Sequence, residues 1–168
     1  MRKASALVVV LMLIVVGCSS SEPLSFDLSH SMEPPEAPFA VSGHAADDGA
    51  VCSVGLWVDQ REETMDGQPL ADDGWAAIFD EAVRSRSVAE AKSIKQFECG
   101  DGSGTITITD HAYLDFAVLD VTTFGRGETT WGTWTVEGTG DYDSLSGEGE
   151  VVVDWDEQRF HYVGDVET

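Results

Sequence analysis

From Phe39 onward, apolar and polar side chains alternate in short runs separated by glycine-rich turns, which is the period-two pattern of half-buried strands. In residues 51–59 the alternate positions Cys52, Val54, Leu56 and Val58 form one apolar face, which directs Cys52 inward. Residues 93–99 set Phe97 and Cys99 on a common face, and Gly100-Asp101-Gly102-Ser103-Gly104 then turns the chain back into Thr105-Ile106-Thr107-Ile108-Thr109. That spacing predicts a hairpin, with glycine supplying the positive φ angles a tight turn needs. Further strands are predicted over 116–124, 130–138, 150–156 and 159–166, and with residues 39–44 the count reaches eight. In the last two, Val151, Val153 and Trp155 share a face, as do Phe160, Tyr162 and Val166, while Asp154, Asp156 and His161 face the other way.

One segment breaks this rhythm. Trp75, Ile78, Phe79, Ala82 and Val83 recur at helical spacing, with Asp72 or Asp73 placed to cap the start, so one short helix is expected there. The expected fold is all-β: an antiparallel, calycin-like barrel of about eight strands, closed on itself and crossed by the helix. The competing architecture is a two-sheet β-sandwich. A barrel of this size holds side chains or one small ligand.

The amino terminus reads differently. Arg2 and Lys3 precede an apolar stretch of eleven residues from Ala6 to Val16, followed by Gly17-Cys18-Ser19-Ser20-Ser21. As a helix that stretch spans about 16 Å against the ~30 Å hydrocarbon core, so it is a signal peptide rather than a transmembrane span. Val15-Val16-Gly17-Cys18 resembles the bacterial lipobox, which implies cleavage before Cys18 and acylation (diacylglycerol, palmitate) of that cysteine. Residues 1–17 are then the lipoprotein signal, and 18–38, with Ser, Glu and four of the five prolines, read as a tether. Residues 39–168 form the barrel domain. The expected location is a cell membrane or envelope, outside the cytoplasm, with membrane lipid as the partner of Cys18.

Export fixes the meaning of charge and cysteines. Loss of Arg2 and Lys3 takes the formal charge from −22 to −24, a surface that nucleic acid does not bind. With Cys18 acylated, only Cys52 and Cys99 remain, and an even pair beyond the membrane is usually oxidised. A bond between them contributes roughly 3 to 4 kcal/mol in the chain-entropy treatment; the alternative is two separately buried thiols.

The stretch Trp134-Thr135-Val136-Glu137-Gly138-Thr139-Gly140-Asp141-Tyr142-Asp143-Ser144-Leu145-Ser146-Gly147-Glu148-Gly149 is similar to a segment of allene oxide cyclase-like and dirigent-like barrels and of related bacterial domains of unknown function. In that pattern Gly138 and Gly140 let the strand end bend, Tyr142 and Leu145 plug the barrel end, and Gly147 and Gly149 start the return strand. The resemblance covers about 30 residues, through Val151-Val152-Val153, and implies a barrel that in plant relatives holds an apolar ligand or a phenolic.

No nucleophile triad, phosphate loop, zinc motif or paired-histidine spacing occurs, so neither a cofactor nor a metal is expected. The histidines are scattered: His30 in the tether, His44, His111 and His161 at strand surfaces or ends. The candidate ligand-binding residues are the aromatics on predicted inner faces, Phe97, Trp134, Trp155, Phe160 and Tyr162, closed over by the helix at Trp75. Three functions follow as expectations: a tethered module that takes a small apolar molecule or serves envelope interactions without catalysis; a cyclase- or isomerase-like enzyme using Glu98 or Asp120 beside aromatics; and a calcium-dependent adhesion protein using Asp141, Asp143, Glu148, Glu150, Asp154, Asp156 or Glu157. No particular protein partner is indicated.

Overall fold

The computed structural model describes residues 22–32, 36–71, 74–120, 122 and 124–168. The signal peptide, Cys18, Pro34, Pro35 and the helix-capping candidates Asp72 and Asp73 lie outside these residues. Eight antiparallel strands close into a barrel in sequence order, β1 (Leu24–Ser31), β2 (Pro38–Ser42), β3 (Val54–Glu63), β4 (Val88–Cys99), β5 (Thr105–Asp115), β6 (Glu128–Gly138), β7 (Ser146–Asp154) and β8 (Arg159–Glu167), with β8 returning to pair with β1. The sandwich alternative is thereby excluded. Helix α1 (His44–Asp47) is a single turn, and α2 (Gly74–Ser85) is the helix expected from the Trp75 stripe.

Two strand assignments change. Residues 24–31, expected within the tether, are β1, with Phe26, Leu28 and His30 buried between the polar Ser25, Asp27 and Ser29. Closing the barrel requires this strand, because β2 and β8 each present an edge that only β1 satisfies. Conversely, the segment expected to be a strand over 116–124 forms turns among its described residues. The side chain of Asp115 accepts the Ala117 N–H and that of Asp120 accepts the Thr122 N–H, while Leu119 N–H reaches back to Asp115 O, so the backbone curls instead of extending.

The inner face of β3 also differs from expectation. Val54 and Leu56 are half exposed and Trp57 is buried. Alternation permits either set to point inward, and the larger apolar surface of the indole decides it; its Nε1–H donates to Asp59 O at 2.9 Å. Cys52 is buried as expected, from the segment before β3, and is disulfide-bonded to Cys99 at the end of β4.

The barrel has two unlike ends. At one, the disulfide, α1, the 100–104 turn and a 3₁₀ turn (Gly140–Tyr142) gather, and Tyr142 and Leu145 are buried as the plug. Gly140 enters that turn at φ +67°, with Ser103 O 2.5 Å from where a Cβ would stand. Above the plug, Phe26, Phe97, Ile106, Ile108, Trp134, Val151 and Val153 are fully enclosed. Trp134 lies over Gly149, where an added Cβ would come within 2.8 Å of the indole nitrogen. At the other end α2 lies across a cluster of rings: Trp75, Phe79, Phe116, Phe124, Trp131, Trp155 and Phe160.

Candidate functional site

Beneath the α2 end three polar side chains meet on the inner wall. Lys95 of β4 and Asp110 of β5 are 3 % and 2 % exposed, and Tyr162 of β8 is fully buried. Lys95 Nζ donates to Asp110 Oδ2 at 3.1 Å and to the Tyr162 hydroxyl at 2.5 Å; that hydroxyl donates to the same Oδ2 at 3.0 Å. Burial and the neighbouring carboxylate push the Tyr162 pKa well above its usual value, so it remains a donor. The ammonium also lies 4.3 Å from the centroid of Phe160. Taking a lysine and an aspartate out of water carries a desolvation penalty that their attraction barely offsets, so the pair does not owe its place to stability.

A half-open recess of about 70 Å³ sits over this triad, lined by Gln60, Glu62, Ser93, Asp110, Trp75 and Trp131 among others. Two irregularities in the sheet shape it. Between Trp57 and Asp59 the β3–β4 register shifts, which brings Gln60 opposite Lys95 and Glu62 opposite Ser93 on the inner face. A second shift between Thr130 and Gly132 in β6 leaves Trp131 unpaired with β7, and Trp131 is buried at the mouth. Ala91 and Ala112, small residues on facing strands, leave the space that larger side chains would fill.

His30 adjoins the triad. It stacks on Phe160 and Tyr162 at 5.3 and 5.8 Å and is fully buried. Its Nδ1 lies 2.6 Å from Ser31 O, which can only accept, so Nδ1 carries the proton and Nε2 is left as an acceptor with no partner among the described residues. Burial first, then the Lys95 charge, lower its pKa from 6.5 to about 3. The unfolded chain therefore binds a proton near pH 6.5 that the folded protein refuses until about pH 3. Stability contributed by the neutral ring is lost as pH falls through that window, by roughly 1.4 kcal/mol per pH unit. Urea unfolding at pH 7 and about pH 4.5 should show a distinctly smaller loss in His30→Phe than in the parent; equal losses would contradict the assignment.

Of the aromatics expected to contact a ligand, Trp75 and Phe160 line the recess, Tyr162 lies behind it, hydrogen-bonded to the lining residues Lys95 and Asp110, and Trp155 belongs to the ring cluster 5.9 Å from Trp131. Phe97 and Trp134 do not reach it. Phe97 packs between Phe39 and Tyr162, and Trp134 packs on Phe26 with its Nε1–H on Glu150 O and Val163 O. Lys95, Asp110, Ser93, Glu62 and Trp131 were not among the expected site residues. The signal for the first two lay in the alternation itself, which puts Lys95 in phase with Phe97 and Cys99, and Asp110 in phase with Ile106 and Ile108.

The catalytic acids considered from sequence lie elsewhere. Glu98 is on the outer face of β4, and Asp120 is in the exposed β5–β6 connection, where hydrogen bonds from the Thr122 hydroxyl and N–H lower its pKa. His30 lies in the barrel rather than in a tether, and His44, His111 and His161 hydrogen-bond outside it to Ser25, Glu90 and Asp27. Among the described residues no three carboxylate, histidine or cysteine side chains are gathered to hold a metal ion. Asp154 Oδ1 instead accepts the N–H groups of Asp156 and Glu157.

Fold and site together define the class: a closed eight-stranded antiparallel barrel, sealed at the disulfide end, with a charged and aromatic recess under a helix at the other. No protein-family model, curated protein or solved structure matches the chain.

Proposed function

We propose that the protein is an exported lipoprotein, anchored through acylated Cys18, whose barrel receives a small molecule in the recess beneath α2. The observation that carries the reading is the buried Lys95–Asp110 pair, backed by Tyr162, opening onto a space walled by Trp75, Trp131 and Phe160. Mostly apolar walls with a few convergent polar groups are the usual form of a small-molecule site. The bulk of the barrel interior is filled with side chains, so the occupant is held at the mouth and not swallowed. The likeness of residues 134–149 to barrels that hold ligands in plants points the same way.

The anchor bears on how the recess is presented. Only five residues separate Cys18 from Leu24, the first residue of β1, so the reach from lipid to barrel is at most about 20 Å. β1 begins at the disulfide end, since Leu24 pairs with Val166 near the end of β8. The sealed end therefore faces the bilayer and the recess faces away from it. Two acyl chains hold such a barrel firmly where one would not. Among the described residues no helix is long and apolar enough to cross a membrane.

Native mass spectrometry of the protein extracted from its own membrane tests both parts. The expected spectrum shows an acylated Cys18 amino terminus and a small bound mass that leaves on denaturation, and Cys18→Ser should abolish the first and keep the second. An unprocessed or unacylated chain would overturn the anchor. An empty barrel in every preparation would overturn the receptacle.

A further inference from the structure

The lining of the recess restricts the chemistry of what enters it, given the binding reading above. Its ionic groups are Lys95, Asp110 and Glu62. Lys95 and Asp110 offset each other, whereas Glu62 joins none of the ion pairs formed among the described residues and is met only by the Gln60 amide at 2.9 Å. The recess thus carries one uncompensated negative charge. Asp110 receives both of its hydrogen bonds on Oδ2, and its Oδ1 accepts none from the described residues. Ser93 Oγ, also in the lining, is buried without a partner among the described residues. What Asp110 Oδ1 lacks is a donor.

The walls favour a cation as well. Trp75 and Trp131 have centroids 5.7 Å apart at 57°, and Trp131 and Phe160 are 6.1 Å apart at 87°, so three aromatic rings in different orientations border one small space. About 70 Å³ holds roughly two waters, or one ammonium or methylammonium group, and is far below the ~300 Å³ of a pocket that swallows a whole drug-sized ligand. Only a headgroup enters. The rest of the molecule rests on the aromatic mouth, where Phe79, Phe124 and Trp155 continue the cluster.

We infer that the recess takes the ammonium head of a primary amine with an apolar body. Its N–H groups satisfy Asp110 Oδ1 and Ser93 Oγ, its charge offsets Glu62, and the indoles of Trp75 and Trp131 border it. A carboxylate or phosphate would set like charge against both Asp110 and Glu62. A quaternary ammonium would leave Asp110 Oδ1 without a donor. The strongly acidic mature chain, at −24 after loss of Arg2 and Lys3, draws cations toward the mouth.

The test uses the mature full chain and three probes of one shape: 2-phenylethylammonium, 2-phenylethanol and 3-phenylpropionate, read by tryptophan emission, with Trp75→Phe to assign the signal to the recess. The amine should bind roughly tenfold more tightly than the alcohol, the acid most weakly, and the amine's affinity should fall with added salt. Glu62→Gln, at a half-buried position, should weaken the amine roughly fivefold and the alcohol far less, with the melting temperature reporting that the variant is folded. If the alcohol binds as tightly as the amine, the ammonium inference fails while the binding site stands. If none of the three alters emission or melting temperature, both fail.

Discussion

Replacing Lys95 by methionine is expected to destabilise the protein by about 3 to 5 kcal/mol. Methionine matches the stem of lysine in volume, so packing is nearly kept. What is lost is the only cation paired, among the described residues, with a carboxylate that is 2 % exposed. The Tyr162 hydroxyl would then be the sole remaining donor to Asp110 Oδ2 among the described residues. The triple variant Lys95→Met/Asp110→Leu/Tyr162→Phe removes the charge, its counter-charge and the orphaned hydroxyl together, and should recover most of that loss or exceed the parent in stability. Urea unfolding of the single and triple variants separates the two cases. A stable triple variant that no longer responds to 2-phenylethylammonium would show that the polar floor serves binding at the expense of stability. A single variant within 1 kcal/mol of the parent would mean that Lys95 and Asp110 are not paired in a dry interior.

Loss of the disulfide is the second large effect. The bond joins Cys52 to Cys99 across a separation of 47 residues, closing a loop that contains β3, α2 and nearly all of β4. In the chain-entropy treatment its removal frees the unfolded chain by roughly 4 kcal/mol. The double variant Cys52→Ala/Cys99→Ala should therefore unfold at much lower urea, with a steeper dependence on denaturant, because the uncrosslinked unfolded chain exposes more surface. The loss falls on folding and not on recognition, since the bond lies at the sealed end and the recess at the other. At urea concentrations where the variant remains folded, its affinity for the amine should equal the parent's. A variant that keeps the parent's urea midpoint would overturn the structural role given to the bond.

Much of the barrel can be read from alternation, and the departures have particular causes. β1 carries a clean two-residue pattern, Leu24-Phe26-Leu28-His30 against Ser25-Asp27-Ser29-Ser31. Nearby prolines give the region the composition of a spacer, and composition outweighs periodicity only until closure of the sheet demands a partner for β2 and β8. Residues 116–124 are apolar enough for a strand, but Asp115 and Asp120 capture nearby amide groups and turn the chain. The strand count of eight thus holds although, among the described residues, one expected strand is replaced by turns and one unexpected strand is present. α2 was legible because its stripe of Trp75, Ile78, Phe79 and Ala82 has no strand-like reading.

The site was only half legible. Lys95 and Asp110 stand in phase with buried neighbours on β4 and β5, so a pair of opposite charges on two inner faces was present in the pattern. The positions of Glu62 and Trp131 were not, because each depends on a register shift against a partner strand. A bulge is a property of two strands together. It inverts which residues face inward beyond it, and nothing within β3 or β6 alone announces the inversion.

The central claim is that Lys95 holds a charged ammonium inside the barrel at the edge of a space a ligand can enter. The ¹H–¹⁵N signal of its side-chain ammonium, assigned by its loss in Lys95→Met, tests this directly. Burial against Asp110 and Tyr162 predicts a resolved, slowly exchanging resonance that shifts as 2-phenylethylammonium is added. A resonance averaged with the other lysines by rapid exchange with water, or one that does not move at saturating amine, would contradict the account.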